Sequence, residues 1–211
     1  MIKVLMADDH ALVRSGLKQI LDETGGEICV AGEAASGPQV LEQVQAQDWD
    51  VLVLDITMPG RSGLDILKDI RQLKPTLPVL ILSMHAEEQF ATRMFKAGAS
   101  GYLTKESAPE ELVKAIRKVC AGGKYVSPAQ AERMVAELTG KPDKHPHELL
   151  SDREFEILCL IASGKTPTQI AKALSLSVKT VSTHRTRILE KLNLESSAQL
   201  THYAIKHQLV N

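Results

Sequence analysis

At 211 residues, the chain is long for one small domain and comfortable for two. A hydrophobic fraction of 44% supplies a packed core, while the formal charge of −1 does not by itself argue for a polyanion-binding surface. No run approaches the ~18 apolar residues of a membrane span, and Asp8-Asp9 interrupts the one apolar stretch near Met1, which speaks against a signal peptide.

In chain order, the first half alternates two kinds of pattern. Strand-like runs occupy Ile2–Ala7, Ile28–Ala34, Asp50–Asp55, Val79–Ser83 and Ser100–Thr104. Helical patterns lie at Ala11–Thr24, Pro38–Gln47, Leu64–Leu73, Ala86–Ala97 and Pro109–Ala121. Five such repeats predict a doubly wound, five-stranded parallel sheet with helices on both faces. Val51–Leu54 is apolar without interruption, as suits a strand buried on both sides. Leu64, Ile66, Leu67 and Ile70 form a core-facing stripe, and Ser107 with Glu110 predicts a capping box for the fifth helix.

The strand ends carry the chemistry. The first run ends in Asp8-Asp9, the third in Asp55, the fourth in Ser83 and the fifth in Thr104-Lys105. In open α/β sheets, ligands bind at the carboxyl ends of the strands. Three carboxylates gathered there repel one another unless a cation joins them, and an oxygen-rich set suits Mg²⁺. Asp55 is then placed as a carboxylate nucleophile toward phosphorus, with Lys105 and Ser83 as partners for the added oxygens.

Asp8-Asp9, Asp55, Ser83, Tyr102 and Lys105, in this order and at these spacings, resemble the receiver domain of two-component response regulators over roughly the first 120 residues. The resemblance implies transfer of a phosphoryl group from a phosphohistidine of a sensor histidine kinase onto Asp55. It implies Mg²⁺ on Asp9, Asp55 and the backbone carbonyl of Thr57, with Asp8 acting through water. It also implies an inward swing of Tyr102 when Ser83 moves toward the phosphoryl group, and tuning of the acyl-phosphate lifetime by Thr57 and His85. Many receivers have proline after the lysine. Glu106 stands there in this chain, so a cis bond lacks its usual rationale.

Gly122-Gly123 is a helix stop, followed by a short amphipathic pattern over Ser127–Leu138 and a polar, proline-bearing stretch at 140–147 that reads as a linker. His145 and His147 in that stretch read as solvated rather than metal-bound, having no nearby Cys or acid partners in sequence. Cys29, Cys120 and Cys159 are far apart and odd in number among apolar neighbours, which predicts buried, reduced thiols in a cytoplasmic protein. The organisation expected is therefore residues 1–123, a linker at 124–147, and a second domain at 148–211. Charge divides along the same lines: residues 1–125 hold 14 Lys+Arg and 17 Asp+Glu, while residues 148–211 hold eight and six.

The second domain reads as helices alone. Ser151 and Glu154 form a capping box, Phe155, Leu158, Ile161 and Ala162 follow at helical spacing, and Gly164 stops the helix. A short helix begins near Thr166-Pro167, a tight connection at Ser175-Leu176-Ser177 follows, and a longer helix spans about Val178–Leu192. This is the pattern of a helix-turn-helix. Leu150-Ser151-Asp152-Arg153-Glu154, Ile170-Ala171, Ser177, Lys179-Thr180-Val181, His184 and Ile188-Leu189-Glu190-Lys191-Leu192 resemble the LuxR-type DNA-binding domain, and the two halves together resemble the NarL/FixJ class of transcription factors.

On the third helix of this domain, Val181, Ile188 and Leu192 share the core stripe, which leaves Lys179, Ser182, Thr183, Thr186 and Arg187 on the opposite face. Ser182, Thr183 and Thr186 are expected at base edges. Lys179 and Arg187 are expected at phosphates, together with Thr166, Thr180 and Arg185. Some relatives carry lysine where Ser182 and Thr186 stand, so no operator sequence transfers. A last helix over about Ser196–Gln208 offers Leu200, Tyr203 and Ala204 to the core or to a two-fold interface. The resemblance implies promoter DNA, a homodimer and RNA polymerase as partners, and no turnover of an external substrate. Two other readings stand beside it. An aspartate-nucleophile phosphatase would need an acid where Thr57 stands, and the third reading keeps the DNA binder with a receiver regulated without phosphate.

Overall fold

The computed structural model describes the chain except residues 59, 85–86, 129–130, 133–144, 175, 208 and 211. It divides into two compact units, residues 1–135 and 136–211.

In the first unit, β1 (Ile2–Ala7), α1 (Ala11–Asp22), β2 (Ile28–Ala34), α2 (Gly37–Ala46), β3 (Val51–Asp55), α3 (Gly63–Leu73), β4 (Val79–Ser83), α4 (Glu87–Lys96), β5 (Gly101–Thr104) and α5 (Ala108–Cys120) alternate as expected. The parallel sheet has the order β2-β1-β3-β4-β5. The reversal after β2, combined with right-handed crossovers, puts α1 on one face and α2, α3 and α4 on the other. Val4, Met6, Val51, Val53, Leu80 and Leu82 pack with Leu17 and Leu21 of α1 and with Leu112, Ile116 and Val119 of α5. Leu5, Leu52, Leu54 and Ile81, equally inaccessible, belong to the opposite face by the two-residue period of a strand. The fifth strand also pairs with a segment that its sequence did not announce: Gly101 bridges Tyr125, and Tyr125 N–H donates to the Ser100 carbonyl at 2.9 Å.

Two expectations need correction. Ser107 makes no side-chain cap on α5. It lies in the right-handed helical region, and its hydroxyl donates to the Thr104 carbonyl at 3.2 Å and accepts from Thr104 Oγ1 at 3.0 Å, so it closes the β5–α5 turn instead. No disulfide joins the cysteines, and only Cys159 is buried; Cys29 and Cys120 are half-buried. Burial pushes the Cys120 thiol up to about 11, with Asp50 adding to the effect, so it stays protonated. The peptide bond between Lys105 and Glu106 is trans, there being no cis bonds among the described residues. The expected helix at 127–138 falls largely outside them.

The second unit contains a 3₁₀ turn (Pro146–Leu149), α6 (Asp152–Ala162), α7 (Pro167–Ala173), α8 (Val178–Leu192) and α9 (Ser197–Lys206). Capping boxes begin α6 (Ser151 with Glu154) and α7 (Thr166 with Gln169), Ser177 caps α8, and Asn193 ends α8 in the left-handed conformation at φ 54°. Phe155, Leu158, Ile170, Val181, Ile188, Leu192, Leu200 and Ala204 form the core. The 3₁₀ turn crosses the boundary expected at residue 148, and the ring of His147 contacts Tyr203 in α9.

Glu154 is buried beside Lys191, whose ammonium is 2.6 Å from Oε2, and Ser151 N–H donates to the same oxygen at 2.7 Å. Burial alone would raise this carboxyl, but Lys191 and Ser151 together hold it below the usual glutamate range. Its stabilising contribution is complete above the unfolded value of about 4.3 and is lost as pH falls through the lower folded value. Thermal unfolding followed by far-UV circular dichroism should therefore find Glu154→Gln less stable than wild type at neutral pH, with the difference closing on acidification below about pH 4.

Candidate functional site

The sheet register brings four strand ends into one row. Ala7 pairs with Leu54, Asp55 with Leu82, and Ser83 with Thr104. Asp8-Asp9, Asp55, Ser83 and Lys105 consequently follow or end β1, β3, β4 and β5 at the same edge. Gly63 allows α3 to start directly behind this edge, since a Cβ there would lie 2.4 Å from the Ile56 Cα. Ser62 caps that helix.

Asp8, Asp55 and Ser83 have no exposed surface. The Lys105 ammonium lies between the two acids, 2.7 Å from Asp55 Oδ2 and 2.6 Å from Asp8 Oδ2. Burial would lower this lysine, yet the paired carboxylates outweigh that effect and raise it, so it remains a cation. Thr57 folds back on the other oxygen of Asp55, with its N–H donating to Oδ1 at 2.8 Å and its hydroxyl at 2.6 Å. Lys105 N–H donates to the Ser83 carbonyl at 2.7 Å, which ties the ends of β4 and β5 together. Tyr102 is fully buried one residue before Leu103 in β5. His85 lies outside the described residues.

His10 belongs to the site although the sequence reading passed over it. Its N–H donates to Asp8 Oδ1 at 2.7 Å, and its Nδ1 is 3.0 Å from Asp9 Oδ1. Its position directly after the acid pair was the available signal. Arg14, from α1, donates to the Asp8 carbonyl at 2.6 Å and holds the turn.

The donor set fits a hard divalent cation. Asp8, Asp9, His10 and Asp55 each offer a ligand atom within 4.8 Å of the others. Asp9 Oδ1 is buried and accepts no well-directed hydrogen bond, so it retains lone pairs for a metal, while Asp8 Oδ2 faces the Lys105 ammonium.

In the second unit, Lys179, Ser182, Thr183, Thr186 and Arg187 are exposed on α8, and Thr166 is exposed at the start of α7. Ser182, Thr183 and Thr186 hydroxyls donate to the carbonyls of Val178, Lys179 and Ser182 at 3.0, 3.0 and 3.2 Å. Their protons are thus engaged within the helix, and acceptor lone pairs and methyl groups face outward. Thr180 is half-buried, 2.8 Å from the Ser177 hydroxyl, and Arg185 Nε donates to Ser197 at 2.7 Å. Both have structural duties that the sequence reading did not assign. Half-buried His184 has an Nδ1 that is inaccessible and unbonded, and burial lowers its protonation.

With this geometry in view, comparison with known proteins is specific. Residues 4–117 match the response regulator receiver domain, and residues 148–204 match the bacterial regulatory proteins of the luxR family. Response regulator UvrY of Escherichia coli strain K12 is 37% identical over all of this chain and 97% of its own length. Response regulator GacA of Pseudomonas aeruginosa is 38% identical over all of this chain and 99% of its own. The structure of RcsB from Salmonella enterica serovar Typhimurium, bound to promoter rprA in the presence of the phosphomimetic BeF₃⁻, superposes with a TM-score of 0.68 at 28% identity, covering 96% of this chain and 98% of that one. The chain belongs to the response regulators of the NarL/FixJ class, with a receiver domain followed by a LuxR-type DNA-binding domain.

Lys105 supplies the charge balance of two buried acids, so Lys105→Met should destabilise the first unit by about 3 kcal/mol in the absence of divalent cations. Fluorescence of Trp49, the sole tryptophan, reports that transition. An unchanged denaturation midpoint would show that the ammonium is dispensable.

Proposed function

We propose that Asp55 accepts a phosphoryl group from the phosphohistidine of a sensor histidine kinase and that this modification controls dimerisation and DNA binding. The observation that carries this reading is the ammonium of Lys105 bridging Asp8 and Asp55 at the carboxyl edge of the sheet. In the transfer, an Asp55 carboxylate oxygen forms the new P–O bond as the P–N bond to imidazole breaks, and imidazole leaves. Thr57 orients the carboxylate through its two bonds to Oδ1. Lys105 then divides its charge between Asp8 and the phosphoryl oxygens, and the Ser83 hydroxyl supplies a further donor. Asp9, Asp55 and the Thr57 carbonyl would hold Mg²⁺, with Asp8 acting through water. When bound, this ion offsets the negative charge of the acids and of the incoming group. Thr57 and His85 set the lifetime of the acyl phosphate, and Tyr102 follows Ser83. The protein catalyses its own modification and turns over no external substrate.

The output is transcriptional. Helix α8 enters the major groove of promoter DNA as a cytoplasmic homodimer engages paired half-sites, a mode favoured by helix-turn-helix geometry, and RNA polymerase is the further partner. No described helix is long and apolar enough to cross a membrane. Outward lone pairs on Ser182, Thr183 and Thr186 favour the amino groups of adenine or cytosine, and the threonine methyls favour thymine. Lys179 and Arg187, with Thr166, Thr180 and Arg185, meet phosphates.

Incubation with acetyl phosphate and Mg²⁺ should add one phosphoryl group to wild type and none to Asp55→Asn, as read by intact mass. Only the wild type should then gain duplex affinity or assemble. Labelling with no change in either property would overturn the reading. For the DNA face, Lys179→Ala should weaken all duplexes alike and reduce the salt slope of binding by about one. Thr186→Val should leave that slope unchanged and relax base preference at a single position.

A further inference from the structure

His10 occupies the N-cap position of α1, with extended backbone at φ −90° and ψ 105°. A polar side chain there ordinarily turns onto the free N–H groups of the first helical turn. His10 makes no such cap. Its ring faces the acid pair instead, with Nδ1 3.0 Å from Asp9 Oδ1 and 3.3 Å from Asp8 Oδ1. The bond from His10 N–H to Asp8 Oδ1 and that from Arg14 to the Asp8 carbonyl hold the turn that carries the ring. Asp8 is thereby shared between two partners, Oδ1 toward His10 and Oδ2 toward the Lys105 ammonium.

Asp9 Oδ1 is buried and accepts no well-directed hydrogen bond, although the His10 nitrogen is so close. A neutral imidazole has one donor nitrogen and one acceptor nitrogen. In the tautomer with its proton on Nε2, His10 sets a second acceptor beside the Asp9 oxygen, and a cation relieves the repulsion of such a pair.

We propose that His10 Nδ1 is a ligand of the divalent cation at the carboxyl edge, and that this nitrogen biases the site toward first-row transition ions over Mg²⁺. The proposal rests on the reading of that edge as a metal site. Asp8, Asp9, His10 and Asp55 each offer a ligand atom within 4.8 Å of the others, so the imidazole shares one donor set with the acids. Carboxylates alone suit Mg²⁺, which takes oxygen ligands and keeps much of its water. Imidazole adds little for Mg²⁺ but raises affinity for the transition ions. Mn²⁺ accepts carboxylate oxygens as well, which makes it the informative probe. The side chain of His10 is 63% exposed, so its removal leaves the core of the first unit in place.

The test compares Mg²⁺ and Mn²⁺ by calorimetric titration of the full-length protein at about pH 8, where a histidine of ordinary pKa, about 6.5, is neutral. Wild type should bind each cation at a site that Asp9→Asn abolishes. His10→Ala should weaken Mn²⁺ by about tenfold and Mg²⁺ by less than about threefold. Pulsed electron paramagnetic resonance of bound Mn²⁺ should show echo modulation from a directly bound nitrogen in wild type and none in His10→Ala. Equal changes for the two cations, or a wild-type echo without nitrogen, would overturn the proposal and leave the ring as a polar neighbour of Asp9. With Mg²⁺ binding intact, that result leaves the reading of the edge as a metal site untouched. Failure of wild type to bind either cation would overturn both.

Discussion

A single ammonium held between two carboxylates underlies the receiver half of this protein. Asp8 and Asp55 have no contact with solvent, and two anions at such a depth are tolerable only with a cation within bonding distance of both. Lys105 provides that cation from the end of β5, two strands away from Asp55. The arrangement depends on sheet register: a slip of one residue in β3 or β5 would turn the acid or the lysine to the wrong face. The packed layers on either side of the sheet thus have an electrostatic consequence, because they fix the alignment that keeps the charges matched.

That balance also makes the edge responsive. Lys105 is already committed to two anions, so any further negative charge must compete for it. Thr57 occupies the remaining oxygen of Asp55 with two donors. It stands where an aspartate-nucleophile phosphatase would need a general acid. The hydroxyl of threonine orients the carboxylate and has no proton to give up at neutral pH.

Most of the receiver was legible from its sequence because each strand is a short apolar run ended by a turn residue or a charge. The β3 run could not be a surface strand, and its terminal Asp55 had to fall at the carboxyl edge. The LuxR-type half was legible for a different reason: Val181, Ile188 and Leu192 define one face so clearly that the other face follows. What escaped depends on tertiary neighbours. Ser107 satisfies the spacing of a capping box, but Thr104 competes for its hydroxyl. Gly101 bridges Tyr125 across a helix of intervening sequence. Arg185 has the charge of a phosphate contact, yet its Nε is spent on Ser197. Local pattern has no access to these choices, since the competing partner lies elsewhere in the chain.

The histidines show the same limit most sharply. Two imidazoles on a polar, proline-bearing stretch have no reason in sequence to be anything but solvated. His207 lies about 60 residues further on, at the end of an amphipathic helix, where a histidine is a common C-terminal residue because it favours the helix dipole. Folding of the helical unit converts these two unremarkable features into one cluster, with Tyr203 brought in by its one-turn spacing from His207. Any input to this regulator, the proposed phosphoryl group on Asp55 included, alters DNA affinity only to the extent that it favours the DNA-competent state over the other.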